Sequence, residues 1–340
     1  MALARHAIID GKKVALIEAN PHMSPDGLDE FTFGILSRFG FLSLAQKIVS
    51  RRALDVEEIE VLLTEASLPI LMKLVELRKG TVVNPSITPA VVLPLSLWRR
   101  FGSDLEEAAR LSKDFLQEIP HEVISVSFDR IDLDYLQPAL LRFFRQIADA
   151  RPGIMLLGPS IDEVVAFPGI GDSAVTPEFL LRRRLEFFRE SGFTRLMATS
   201  SEEFLGLTHE LGFLNYLVTD INHYPGFREL AEELKRIAAL ASKRGLVDIW
   251  SPGVRINNLP LLHDDPITDF RLLRILAVSA LCFDHAPVVR ASSRYLSLEA
   301  IHFARYLGAD DLGYGAFDSL TKKTLRVKPL GALTRAMLQH

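Results

Sequence analysis

From Pro89 onward the chain alternates short apolar runs, rich in β-branched residues, with longer amphipathic ones. The strand-like runs are AVVLPLS from Ala90, EVISVSF from Glu122, GIMLLGP from Gly153, FTRLMATS from Phe193, LNYLVTD from Leu214, LVDIWSP from Leu246, PVVRASS from Pro287 and ADDLGYG from Ala309. Helical patterns lie between them. SDLEEAARLSKDFLQEI opens with Ser103 as N-cap and Glu106 three residues on, a capping box. TPEFLLRRRLEFFRESG has Thr176 as cap, Pro177 at the first helical position and Gly192 as the stop. PGFRELAEELKRIAALASKRG and TDFRLLRILAVSALCF supply two more helices. Strand followed by helix, repeated in this way, predicts βαβ units and a parallel sheet, and eight such units close into a (β/α)8 barrel. An open doubly wound sheet would carry a Gly-rich phosphate loop after an early strand. Neither GxGxxG nor GxxxxGK[ST] occurs, which favours the barrel.

The N-terminal stretch differs in kind. HAIIDGKKVALIEA reads as a hairpin turning at Asp10-Gly11, a dipeptide suited to a type I′ turn. Mostly helical patterns follow, including DVEEIEVLLTEASLPILMKLVELRKG. The expected organisation is an accessory segment over residues 1–85, a barrel over 86–325 and a tail over 326–340. The accessory layer is expected to cover one end of the barrel.

Composition narrows the function classes. The 340 residues are 48% hydrophobic and 24% charged, as in a soluble globular protein. With a net charge of -4 and no basic block, no nucleic-acid partner is expected. The N-terminus shows no continuous hydrophobic run of a signal peptide, and no window reaches the roughly 20 apolar residues of a membrane span. LPILMKLVEL and RILAVSALCF read as buried helices instead, and a cytoplasmic location is expected. Cys282 is the only cysteine and sits in an apolar run, so it reads as a small buried hydrophobe.

In a barrel, chemistry is built at the C-terminal ends of the strands. On that ground the candidates are Asp129, Glu163, Glu203, Asp220 with His223, Arg290 with Arg294, and Asp310 with Asp311. Asp310 and Asp311 support two readings: a helix cap or structural ion pair to Arg290 or Arg294, or a ligand-facing pair at the mouth. His223 reads either as an ordinary loop histidine or as a site residue. No HxH, HExxH or DxDxDG spacing is present, and no metal is expected. A GxSxG elbow is likewise absent, which argues against acyl transfer.

The C-terminal third carries a resemblance. DFRLLRILAVSALCFDHAPVVRAS followed by LSLEAIHFARYLGADDLGYGAFD resembles the radical S-adenosylmethionine enzymes of futalosine-type menaquinone synthesis (aminofutalosine synthase and dehypoxanthine futalosine cyclase) and their deazaflavin-synthase relatives. Upstream, RRALDVEEIEVLL resembles the family's N-terminal helix, while SIDEV and SSEEF fall where the family has glutamates at strand ends. The resemblance spans roughly residues 50 to 325 and implies a (β/α)8 barrel with Glu163, Glu203, Asp310 and Asp311 facing one cavity. One departure matters. The family's CxxxCxxC loop, whose thiolates hold a [4Fe-4S] cluster, is replaced by ITPAVVLPLSLWRRFG, and the Gly-rich turn after the second strand by SVSFDRID. No cluster and no S-adenosylmethionine binding are therefore expected.

Two functions are compatible with this. One is a cluster-less paralogue, a pseudoenzyme binding a small metabolite or an active radical-enzyme partner at the barrel mouth. The other is a cluster-free enzyme that uses Glu163, Glu203, Asp310 and Asp311 as acids and bases on a nucleoside-like or aromatic substrate, with Asp129, Asp220, His223, Arg290 and Arg294 contacting it. Menaquinone biosynthesis is the context that the resemblance offers for either.

Overall fold

The structure is a computed structural model and describes residues 5–9, 12–16, 28–80, 85–88, 90–93, 105–119, 122–128, 138–161, 164, 177–198, 201–254, 266–283, 286–292, 295–313 and 315–316. The chain divides into two compact units, 1–54 and 55–340. In the first, β1 (Arg5–Ile9) and β2 (Lys12–Leu16) pair antiparallel with Ile9 opposite Lys12, the register of a two-residue connection. Helices α1 (Glu30–Arg38) and α2 (Leu42–Val49) follow, α1 being capped by Asp29, whose Oδ1 accepts from the Thr32 N–H at 2.9 Å.

The second unit opens with α3 (Val56–Thr64) and α4 (Leu68–Lys79). A reciprocal capping box starts α3: Glu58 N donates to Asp55 Oδ1 at 2.9 Å, and Asp55 N donates to Glu58 Oε2 at 2.8 Å. Pro69 stands in the first turn of α4, where the missing N–H has no intrahelical role.

The sheet is parallel throughout. Its first strand is β3 (Ser86–Ile87) continued by β4 (Ala90–Leu93). Then come β5 (Ile124–Phe128), β6 (Ile154–Ser160), β7 (Phe193–Ala198), β8 (Leu214–Asp220), β9 (Ile249–Gly253) and β10 (Val288–Ser292), each beside the one before it. The last strand is β11 (Asp311–Gly313) continued by β12 (Gly315–Ala316). It pairs back onto the first with one offset along both pieces: Asp311 opposite Ser86, and Gly315 opposite Ala90. The ring of eight strands is thereby closed, as the alternating pattern predicts.

Helices α5 (Leu105–Glu118), α6 (Pro138–Ala148), α7 (Pro177–Glu190), α8 (Glu202–Glu210), α9 (Phe227–Arg244), α10 (Pro266–Cys282) and α11 (Leu298–Ala304) alternate with the strands. The caps expected at Ser103 and Thr176 lie outside the described residues, while Pro177 is the first residue of α7. Helices α3 and α4, which the sequence groups with the N-terminal segment, pack on α9 and α10. Outward-facing strand residues meet the helices in a core that includes edge-to-face pairs of Phe193 with Phe144 and Phe188, at centroid distances of 4.9 and 5.1 Å. Trp250 is fully buried, and its indole N–H is satisfied by Thr219 Oγ1 at 2.8 Å. Among the described residues no helix is long and apolar enough to cross a membrane.

Candidate functional site

Because all the strands run one way, their C-terminal ends share one rim. A cavity of about 240 Å³ opens there, bounded by the ends of β6 to β9. Ser160, Met197, Val218, Asp220 and Gly253 contribute from the strands; His223 and Tyr224 from the turn after β8; Glu233 from α9; and Tyr295 from the segment after β10. The turn is a short 3-10 helix (Ile221–His223), started by Asp220, whose Oδ1 accepts from Asn222 N at 3.1 Å. The exposed His223 ring meets Tyr224 edge-on at 5.6 Å. Burial, reinforced by the neighbouring Glu233 carboxylate, holds the Tyr224 phenol above its ordinary pKa. Glu233 in turn accepts both arms of Arg236, from Nε at 2.8 Å and Nη2 at 2.7 Å, a bidentate clamp that fixes its carboxylate against Tyr224. Gly253 is required for close approach: a Cβ there would lie 2.6 Å from Val218 Cγ1 and 3.1 Å from Tyr295 Cζ. The cavity thus offers two carboxylates, an imidazole and two phenols over an apolar wall that includes Met197, Leu217 and Val218. Such a set can accept and donate hydrogen bonds and exchange protons. No group of three His, Cys, Asp or Glu among the described residues could hold a metal ion.

The opposite end of the barrel holds the two aspartates, reversing the placement expected from the sequence. ADDLGYG does not end on Asp310-Asp311; the strand begins there, because the ladder already engages at residue 310, with Asp310 N bonded to Val289 O at 2.8 Å and Ser86 N to Asp310 O at 2.9 Å. Asp310 forms a 2.7 Å ion pair with Lys79 of α4, and its Oδ2 accepts from Val289 N at 3.0 Å. Asp311 is 5% exposed and accepts from Ser86 Oγ at 3.0 Å and faces Arg290 Nε at 3.3 Å. Arg290, itself 3% exposed, donates to Thr88 O at 3.1 Å, and its guanidinium lies 5.6 Å from the Tyr216 ring centroid. A side chain that touches β8, β11 and the first strand at once points into the barrel. Gly313 makes room for it, since a Cβ there would stand 2.5 Å from Arg290 Nε. Of the two readings open for Asp311, the geometry realises the ion pair to Arg290.

Among the other sequence candidates, Asp220 and His223 come together in the cavity. Glu203 lies exposed in the first turn of α8 and is not among the cavity-lining residues. Asp129, Glu163 and Arg294 lie outside the described residues. Tyr224, Glu233, Tyr295 and the interior Arg195 were not singled out from the sequence. Glu233 reads there as one more charge on the solvated face of an amphipathic helix. Arg195 is the one charge within FTRLMA.

Fold and cavity together define a (β/α)8 barrel with a polar mouth. Similar solved structures include methylornithine synthase (PylB), at 11% identity and a TM-score of 0.59, covering 87% of this chain and 95% of that one. Two structures of the [FeFe]-hydrogenase maturase HydG also match. One has 13% identity and a TM-score of 0.54 over 86% of this chain and 73% of that one. The other, from Carboxydothermus hydrogenoformans, has 13% identity and a TM-score of 0.53 over 91% and 81%. At these identities the likeness is one of fold. No family model matches the sequence, and neither does any curated protein.

Proposed function

We propose that this chain is a cluster-less relative of the radical S-adenosylmethionine barrels that binds a small metabolite at the mouth between β6 and β9. The observation that carries the binding role is the cavity itself, where Asp220, His223, Tyr224, Glu233 and Tyr295 converge from four separate segments on one apolar wall. The relationship is supported by the barrel shared with methylornithine synthase and HydG and by the residue pattern of the C-terminal third. The donor set does not fit a [4Fe-4S] cluster. The one cysteine, Cys282, ends α10, and burial pushes its thiol up to about 12, the opposite of a ready thiolate. No radical step is therefore assigned to the chain. A role beside the menaquinone enzymes, as metabolite binder or as partner of an active radical enzyme, rests on the sequence resemblance.

A second reading, cluster-free acid/base chemistry, is favoured by one feature. Tyr224, a phenol, and Glu233, a carboxylate that helps to hold that phenol above its ordinary pKa, line the same cavity as Asp220 and His223. Both readings meet the same experiment: a thermal-shift screen of nucleosides, futalosine-like compounds, deazaflavin and S-adenosylmethionine on wild type and Asp220→Asn. Stabilisation by one of them that weakens in the variant supports the mouth as the binding site. Equal stabilisation of both proteins would place binding elsewhere. Anaerobic reconstitution with iron and sulfide is expected to leave no absorption near ~400 nm; a stoichiometric cluster would overturn the cluster-less assignment.

A further inference from the structure

The formal charge on the cavity wall is one-sided. Two carboxylates line it, Asp220 at the end of β8 and Glu233 on α9, and among the described residues no lysine or arginine does. The two are held differently. Glu233 is gripped by both arms of Arg236, at 2.8 and 2.7 Å, so its charge is largely matched from behind. Asp220 accepts from a backbone amide, Asn222 N at 3.1 Å, a bond that orients the carboxylate and uses one of its roughly four lone-pair sites. Tyr224 senses both acids. Burial first, then Glu233 against the opposing pull of Arg236, and Asp220 as well, hold its phenol above the ordinary pKa, so the net field at this wall of the cavity is negative.

The rest of the lining suits the body of a small cation. Tyr224 and Tyr295 bring two phenol rings to the cavity, and the face of such a ring attracts cations. Met197, Leu217 and Val218 supply the apolar wall. The volume of about 240 Å³ is that of roughly eight waters, which limits the occupant to a small molecule. Since no group of three His, Cys, Asp or Glu among the described residues could hold a metal ion, an organic cation fits better than an inorganic one.

We propose that the cavity takes a small organic amine in its protonated form, with the ammonium at Asp220 beside Tyr224 and Tyr295 and the apolar body on the wall of Met197, Leu217 and Val218. This rests on the reading of the mouth as a binding site and names its ligand class. An ammonium suits Asp220 better than a neutral hydroxyl, because it forms a charge-assisted hydrogen bond and carries three donors in place of one. A carboxylate on the ligand would instead meet the Asp220 charge in a cavity that screens it less than bulk water does.

Isothermal titration calorimetry tests this on the full chain. The probes are butylamine and cyclohexylamine, each beside the alcohol and the carboxylate of the same alkyl group, together with inosine. An amine is expected to bind at least about tenfold more tightly than its alcohol, the worth of one charge-assisted hydrogen bond, and the carboxylate more weakly than either. Asp220→Asn keeps an oxygen to accept from Asn222 N, so its Tm without ligand is expected to match wild type while its amine affinity falls at least about tenfold and its alcohol affinity stays. Equal binding of amine and alcohol by the wild type overturns the proposal whatever the variant does, as does an amine affinity that Asp220→Asn leaves unchanged. If inosine or an alcohol binds and the amines bind no better, the mouth remains a binding site and only the assignment to an amine falls. If no probe binds, both readings fall.

Discussion

Replacing Asp311 with asparagine separates a buried ion pair from a helix cap. Its side chain is 7% exposed and that of Arg290 3%, so water does little to screen or replace the 3.3 Å contact between them. Removing one partner of such a pair leaves the other charge buried, at a cost of about 3–5 kcal/mol. Asparagine retains an oxygen to accept from Ser86 and preserves the shape, which puts the expected loss at the lower end, about 3 kcal/mol. For a unit of this size that corresponds to a Tm lower by about 6–12 °C. A carboxylate acting only as a cap would lose well under ~1 kcal/mol, because Asn caps as well as Asp. The assay is thermal and urea unfolding followed by far-UV circular dichroism, on Asp311→Asn and on the double variant Arg290→Met/Asp311→Leu. The double variant is expected to be more stable than Asp311→Asn, since it leaves no charge unpaired. If Asp311→Asn unfolds within 1 kcal/mol of wild type, the floor of the barrel is wetter than the geometry indicates and the argument for its buried charges is refuted.

Three further outcomes are expected. Gly253→Ala should destabilise by about 1–3 kcal/mol and weaken any ligand bound at the mouth, because its new methyl meets Val218 and Tyr295; unchanged melting would mean that Tyr295 swings away freely. In a spectrophotometric alkaline titration, Tyr224 should remain protonated through the usual phenol range near ~10, so Tyr224→Phe should leave the number of tyrosines ionising there unchanged. Cys282, with its thiol pushed up to about 12, should react slowly with a disulfide reagent at neutral pH and faster after unfolding; rapid modification of the native protein would contradict the raised pKa.

Much of the barrel is legible in the sequence because its determinants are local. Apolar runs of strand length, helices that stop at Gly192 and Gly245 with positive φ, and the Asp10-Gly11 dipeptide each act within a few residues. What is not local is how the first and last strands meet, Asp311 opposite Ser86 and Gly315 opposite Ala90. That register also decided the site. Whether Asp310 and Asp311 end a strand or begin one depends on where β11 meets Ser86 and Val289, and these partners stand more than 200 positions away in one case and about 20 in the other. Asp220 and His223 were visible as candidates because a strand end and the turn after it are adjacent in sequence. Tyr224, Glu233 and Tyr295 take on meaning only when the turn after β8, helix α9 and the segment after β10 face one space. Pleat phase selects which side chains point inward, a one-residue slip reverses it, and closure of the ring sets that phase for every strand at once. The chain therefore carries its elements and their order in short-range pattern, while the ends and faces that make a site belong to the closed barrel.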